Sequence, residues 1–307
     1  MTTAQTGEIL LPLSFTPKAI LPTERLHVCL IGAGGTGARI ALLLPRLLRA
    51  GDVVTIIDPD VVEVKNLARQ HFHPDDVGKP KAEVCAERLA AVAPEGLHVH
   101  AVVGTIQNHW KTAQALVKTS LGDGALPTLP GGEVYTRRQG RTILFGAVDN
   151  RAARLHVSQG LPQLVFDRSV AWIDAGNDFR TGQVCLNLMG WGILPHRTTE
   201  IFCNRAGDPL PWENGLSCTA SADCFPDTLD VTKDAADAAL SCIGFDTQSV
   251  GANSLAAALA VNMFSWLLDG EEIGVMAQVF STLSGVSPIP IMDFGGNSRG
   301  GYLLAKP

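Results

Sequence analysis

Residues 28–40 read VCLIGAGGTGARI: an apolar run that breaks into four glycines and resumes as a helix-forming stretch. Residues 27–31 are short, apolar and ended by Gly32, the pattern of a buried strand. In the loop from Gly32 to Gly37, the first glycine permits a tight strand-to-helix turn. The second, Gly34, lets the backbone approach a phosphate closely, and Gly37 lets helix and strand pack together. The helix that follows offers free N–H groups to an anion. Asp58 stands 21 residues beyond Gly37, at the end of a second apolar run, where a carboxylate can hold ribose hydroxyls. These features define a nucleotide site. They do not separate NAD from ATP, since both carry an adenosine ribose and phosphates.

Outward from this stretch, strand-like and helix-like patterns alternate. Strands are expected over 27–31, 53–57, 97–103, 142–148, 170–174 and 183–188. Helices are expected over 37–50, with Pro45 interrupting, and over 79–93, 110–119 and 151–160. Alternation of this kind predicts an α/β, Rossmann-like fold with a largely parallel central sheet flanked by helices. Residues 122–140 are rich in Gly and Pro and read as a loop or small hairpin. Periodicity fades over 190–245. It returns as a long helix over 249–268 and two short strands, 275–282 and 289–292, which complete the sheet. The organisation expected is an N-terminal arm (1–25), a nucleotide-binding half (26–160) and a C-terminal half (161–307) carrying a substrate groove and a cysteine-bearing loop region.

Composition narrows the function. The chain has 307 residues, 46% hydrophobic and 18% charged, which suits a well-buried core. A net charge of −6 with no basic block argues against a nucleic-acid partner. The first fifteen residues hold no Lys or Arg, unlike a secretory signal. The apolar stretch 255–268 is interrupted by Asn262 and Ser265 and reads as shorter than a bilayer span. The seven cysteines form no CxxC pair, which speaks for a reducing, cytoplasmic setting and against a disulfide framework.

Discrimination between the two nucleotides comes after Asp58. The chain continues Asp58-Pro59-Asp60, then Asn66-Leu67-Ala68-Arg69-Gln70, then Gly78-Lys79-Pro80-Lys81, and much later Asp149-Asn150 at the end of a strand. An NAD-dependent oxidoreductase uses the glycine loop and Asp58 but leaves the other residues without a task. An enzyme that handles a triphosphate needs such cations and amides, because its reacting groups are anions that repel. Here the sequence resembles the ubiquitin-activating-enzyme superfamily in its ThiF/MoeB form, over residues 26–187. The resemblance implies ATP- and Mg2+-dependent adenylation of a carboxylate, usually the C-terminal glycine of a ubiquitin-like protein, by a homodimer. A carboxylate on a modified tRNA is an alternative substrate within the superfamily, disfavoured by the acidic charge.

Residue by residue, the resemblance implies that Gly32, Gly34, Gly35, Gly37 and Asp58 bind the nucleotide. Arg69 and Lys81 hold the phosphates, and Asn66 and Gln70 add hydrogen bonds. Asp60 sits beside the phosphates or metal, and Asp149 binds Mg2+, a hard ion suited to carboxylate oxygen. Asp149 and Asn150 also suit a helix cap. Arg151 and Arg154 are not assigned to catalysis and could pair with acids on their own helix. Relatives often lend an N-terminal arginine to the partner subunit's ATP, yet Lys18 and Arg25 are the only cations before the loop. The paired CxxC zinc site of many relatives is missing, so zinc is not expected. Cys203, Cys218, Cys224 and Cys242 could still supply four thiolates by folding together, although their long spacings are a weak signal.

Cys29, Cys85 and Cys185 read as core residues. If an acyl adenylate passes to a thiol, Cys242 is the candidate. It lies in a Ser-Cys pair followed by Gln248 and Asn253, an arrangement similar to ThiF-type proteins of the plasmid-associated PRTRC system. Cys218 is the second choice.

Overall fold

A computed structural model describes residues 12–13, 20, 24–110, 140–165, 170–191, 216–219 and 249–292. They form one ten-stranded sheet. The centre of its parallel part is β2 (Arg25–Ile31), which follows a short β1 (Pro12–Leu13). On one side β2 pairs in parallel with β3 (Val53–Asp58), and β3 with β4 (His98–Val103). On the other side it pairs in parallel with β5 (Gly140–Gly146), and β5 with β6 (Val170–Asn177). The expected parallel centre is therefore present. Beyond β6 the sheet turns antiparallel through β7 (Thr181–Trp191), β9 (Val275–Ser281) and β10 (Gly285–Met292), with β8 (Leu216–Thr219) also on β7 and β1 on β10.

The strand order reverses at β2. From there the chain builds β3 and β4 to one side, then β5 and β6 to the other. In open α/β sheets, ligands bind in the crevice outside the carboxyl ends of the strands at such a switch point. Here those ends are Ile31 and Gly146.

Alternation along the strands buries both faces. Leu26, Val28 and Leu30 of β2 enter one core with Val54, Ile56, Ile143 and Phe145. Cys29 and Ile31 enter a second core with Ile57, Leu144 and Trp172. The first core is covered by α1 (Gly37–Leu43), α2 (Lys81–Ala91) and α4 (Val250–Asp269), the second by α3 (Arg151–Val165). The result is three layers around a sheet buried on both faces.

Pro45 acts as its chemistry demands. It ends α1 after Leu43, and the chain continues as a single 3-10 turn, Leu44–Arg46. Helix α3 runs further than its sequence suggested, passing Gly160, whose missing side chain makes room for the Trp110 ring. Helix α4 is also longer than the apolar run read from sequence. At 20 residues it is long and apolar enough to span a membrane by length and composition alone. Its residues Ala252, Ala256, Ala257, Ala260, Met263, Phe264 and Leu267 are buried against β6, β7 and α1, as in a core helix. Ser249 caps it by accepting from the Ala252 N–H. Residues 111–139 and 220–248 lie outside the described residues, including most of the expected loop and Cys242 with Gln248.

Candidate nucleotide site

The glycine loop leaves β2 at Gly32, whose φ of +93° suits glycine. The loop is tied on both sides of the switch point: Gly32 N–H donates to the Ile57 carbonyl, and Ala147 N–H donates to that of Ile31, each at 2.8 Å. A side chain at Gly32 would meet the Ala147 carbonyl oxygen at 2.5 Å. One at Gly37 would strike the Gly32 carbonyl, and one at Gly35 the amide of Asn253. Packing thus accounts for these three glycines. Gly34 is different, because its missing side chain would meet only Gln70 Nε2, at an ordinary 3.9 Å. No crowding by protein atoms requires glycine there. The open space above Gly34 fits the close approach of a phosphate.

Asp58, at the end of β3, is buried, and its carboxylate ties the site together. One oxygen accepts from the Ala33 N–H at 2.6 Å and the other from the Asp60 N–H at 2.8 Å. Burial raises its pKa; the two N–H groups and the Lys81 charge act against that rise. A ribose would share these oxygens with backbone amides already in place.

Residues 60–81 fold onto this end of the sheet. Val61 bridges Pro80, and the Lys81 N–H donates to the Asp60 carbonyl at 2.9 Å. The Lys81 side chain, 7% exposed, pairs with Asp60 at 2.8 Å, while Asp60 itself is 62% exposed. Asn66 is buried, and its Oδ1 accepts from the Glu63 N–H at 2.9 Å, which closes the turn that precedes Arg69 and Gln70. The carbonyl of Asn66 accepts from the N–H groups of both. Gln70 brings its amide over Gly34, and its buried Oε1 has no hydrogen-bond partner.

Arg39, which the sequence reading passed over, joins these parts. Its guanidinium donates to the carbonyls of Gly35 and Arg69, and burial lowers its pKa. The signal for it was present, because Arg39 lies four residues after Gly35, one helical turn on. His71, in the same segment, has its pKa lowered first by burial and then by the charges of Arg88 and Arg39.

On the other side, Asp149 is exposed just beyond the carboxyl end of β5. Its neighbour Asn150 caps α3, accepting from the Ala153 N–H at 2.8 Å. Arg154 departs from the expected pairing. It reaches off its own helix to Asp174 on β6, at 3.3 Å, and to the carbonyls of Val148 and Ala175. Both side chains are buried, and together they brace the strand ends behind Asp149.

Among the described residues, no group of three or more His, Cys, Asp or Glu is arranged to hold a metal. Magnesium at a nucleotide takes only one or two protein carboxylates, and Asp149 is an exposed carboxylate at this end of the sheet. Arg25 is held at the amino end of β2, donating to the Ala50 carbonyl at 2.7 Å, at the opposite end of the strand from the glycine loop. Cys29, Cys85 and Cys185 are buried, and burial pushes the thiols of Cys29 and Cys85 up to about 12, so both are inert at neutral pH. Cys218 lies in β8, opposite Leu188 of β7.

The fold and this site define an α/β nucleotide-binding protein with its glycine loop at the switch point of the sheet. Comparison with known sequences places it further: the ThiF family pattern matches residues 13–291, and the chain belongs to that family. Ubiquitin-like modifier-activating enzyme 5 of Oryza sativa subsp. japonica is 26% identical over 192 residues, 62% of this chain and 39% of that protein. The tRNA threonylcarbamoyladenosine dehydratase of Escherichia coli (strain K12) is 45% identical over 80 residues, 25% of this chain and 29% of that protein. The chain thus spans well under half the length of these curated relatives. Among solved structures, E. coli MccB with ATP superposes with a TM-score of 0.52 at 17% identity, over 86% of this chain and 63% of that one; the likeness is one of fold.

Proposed function

We propose that the protein uses ATP to adenylate a carboxylate, and that the carboxylate is the C-terminus of a ubiquitin-like protein. The observation that carries the reading is the gathering of Gln70, Arg39 and the Lys81–Asp60 pair around a loop whose Gly34 is left open. Membership of the ThiF family and the extended likeness to a ubiquitin-like modifier-activating enzyme support it.

In the reaction a carboxylate oxygen attacks the α-phosphorus of ATP. An O–P bond forms, the bond from the α-phosphorus to the bridging oxygen breaks, and pyrophosphate leaves with the electron pair. Two anions must meet, so the residues contribute position and charge more than proton transfer. Lys81 and Arg69 neutralise phosphate oxygens. Asp60, through its 2.8 Å contact, keeps the Lys81 ammonium in place. Asp149 is the carboxylate that would hold magnesium, which would supply further positive charge to the phosphates. Asp58 orients the ribose while fixing the loop to β3.

Calorimetric titration tests the nucleotide. Mg-ATP should bind and NAD should not; tighter binding of NAD would end the adenylation reading. The substrate is tested by ATP–pyrophosphate exchange on addition of ubiquitin-fold proteins that end in glycine, with tRNA as the competing addition. Stimulation by tRNA alone would replace the protein substrate by the nucleic-acid one suggested by the dehydratase likeness.

A further inference from the structure

Asn253 sits in the first turn of α4, fully buried, far in sequence from every motif of the nucleotide site. Its Oδ1 accepts from Asn177 Nδ2 at 3.0 Å and lies 3.3 Å from Thr36 Oγ1. The single hydroxyl hydrogen of Thr36 goes to the nearer acceptor, Asn177 Oδ1 at 2.9 Å, and Asn177 Nδ2 also donates to the Asp178 carbonyl at 3.3 Å. These contacts fix both amides. Asn177 must turn its nitrogen toward Asp178 and its oxygen toward Thr36, so Asn253 must turn its oxygen toward Asn177.

That orientation leaves Asn253 Nδ2 with two N–H donors and no partner. The nitrogen occupies the space a side chain on Gly35 would fill. A buried donor left unpaired is costly, and folded proteins rarely keep one without a use. The neighbouring Gly34 has no packing reason to be glycine, so the surface the donor backs onto is one a ligand approaches. A phosphate oxygen is the acceptor that a glycine loop receives.

Building on the ATP reading, we propose that Asn253 is a nucleotide-contacting residue contributed by the C-terminal half: its Nδ2 donates to a phosphate oxygen of bound ATP. The nitrogen is closed to solvent in the ligand-free chain, so the contact forms as the loop adjusts around the phosphate. Binding then tightens the junction of the glycine loop, the end of β6 and the start of α4.

The test measures ATP and adenosine affinity, by calorimetry and competition, for wild type, Asn253→Ala, Asn253→Asp and Asn177→Ala. The melting temperature of each ligand-free protein is measured alongside. If wild type fails to bind ATP, the nucleotide reading itself falls. If it binds, Asn253→Ala should weaken ATP about tenfold, the worth of one hydrogen bond to a charged group, and leave adenosine unchanged. Asn253→Asp, nearly isosteric, should weaken ATP further, because a carboxylate would face a phosphate. Asn177→Ala should act in the same direction with a smaller effect. The proposal is overturned if Asn253→Ala binds ATP as wild type does, or loses ATP and adenosine equally. Either result would give Nδ2 a buried water or a packing role instead. The ATP-to-adenosine ratio remains readable in Asn253→Asp even if the alanine variant folds poorly.

Discussion

Two walls enclose the glycine loop, and they are built from different chemistry. One, drawn from residues 58–81, is charged: Asp58, Asp60, Lys81 and the segment bearing Arg69 and Gln70, joined to the loop by Arg39. The other is neutral, a knot of Thr36, Asn177 and Asn253 with no titratable group among them. Charge attracts and neutralises a polyanion. Neutral amides in a buried place fix geometry without the desolvation cost of an unpaired ion.

The contrast also explains what the sequence could reveal. The charged wall lies within 24 residues, and its spacing from Gly37 is set by one short helix, a 3-10 turn and one strand, so it reads as a motif. The neutral wall joins residues 141 and 76 positions apart, and only sheet pairing and helix packing bring them together. Asn253 stood out in the sequence only for its place after the Ser-Cys pair of Cys242, with no hint of what it faces. The central strands were legible because short apolar runs ended by glycine carry their own signal. The C-terminal end of α3 was not, because Gly160 and Pro162 read as helix breakers, and only the fold shows Gly160 making room for Trp110. Arg154 was misjudged for a related reason: its partner Asp174 is a sheet neighbour, not a helix neighbour.

The largest effect expected on this comparison comes from the charged wall. Lys81→Ala should weaken Mg-ATP about a hundredfold, since it removes a charge-assisted contact from a low-dielectric site. The fold should hold, because the abandoned Asp60 is 62% exposed and can turn to water. Circular dichroism and calorimetry would check both halves of the statement. Unchanged ATP affinity would remove Lys81 from the site and leave the charged wall a purely structural feature.

An intermediate effect separates the two walls at adjacent residues. Gly34 borders the charged wall through Gln70 and has open space; Gly35 is filled by Asn253. Gly34→Ala should leave the melting temperature unchanged or slightly higher, since a methyl group fits and the unfolded chain loses freedom. It should nevertheless weaken Mg-ATP about tenfold, the cost of holding a phosphate off the backbone. Gly35→Ala should instead lower the melting temperature, through the ~1–3 kcal/mol of lost stability typical of overpacking, because the Asn253 amide must move. Equal loss of stability in both variants would show that the space over Gly34 is needed by the fold and not by a ligand.

The smallest effect concerns pH, where only the charged wall can respond. Asp76 closes the segment behind Gln70. It accepts from the His73 N–H at 2.7 Å and pairs with Arg88 on α2. Burial alone would raise its pKa, but the His73 N–H, the charge and hydrogen bond of Arg88, and Lys79 together bring it below the ordinary 3.8. A carboxyl depressed in the folded state adds stability that is complete above its unfolded pKa and is lost as pH falls through the folded one. Its window therefore lies at and below pH 3.8. Asp58 has the opposite sign: burial raises its pKa, so its contribution is full at low pH and declines as pH rises above 3.8. The two windows lie on opposite sides of that value, and the acid limb reports on Asp76 without interference from Asp58. Asp76→Asn keeps an oxygen for the His73 N–H and removes the charge that meets Arg88. It should lower the melting temperature at neutral pH by about 3 °C, the scale of one hydrogen-bonded contact in a chain of this size. It should also flatten the fall in melting temperature below pH 3.8 relative to wild type. An acid limb of unchanged steepness in Asp76→Asn would place the acid sensitivity elsewhere in the chain.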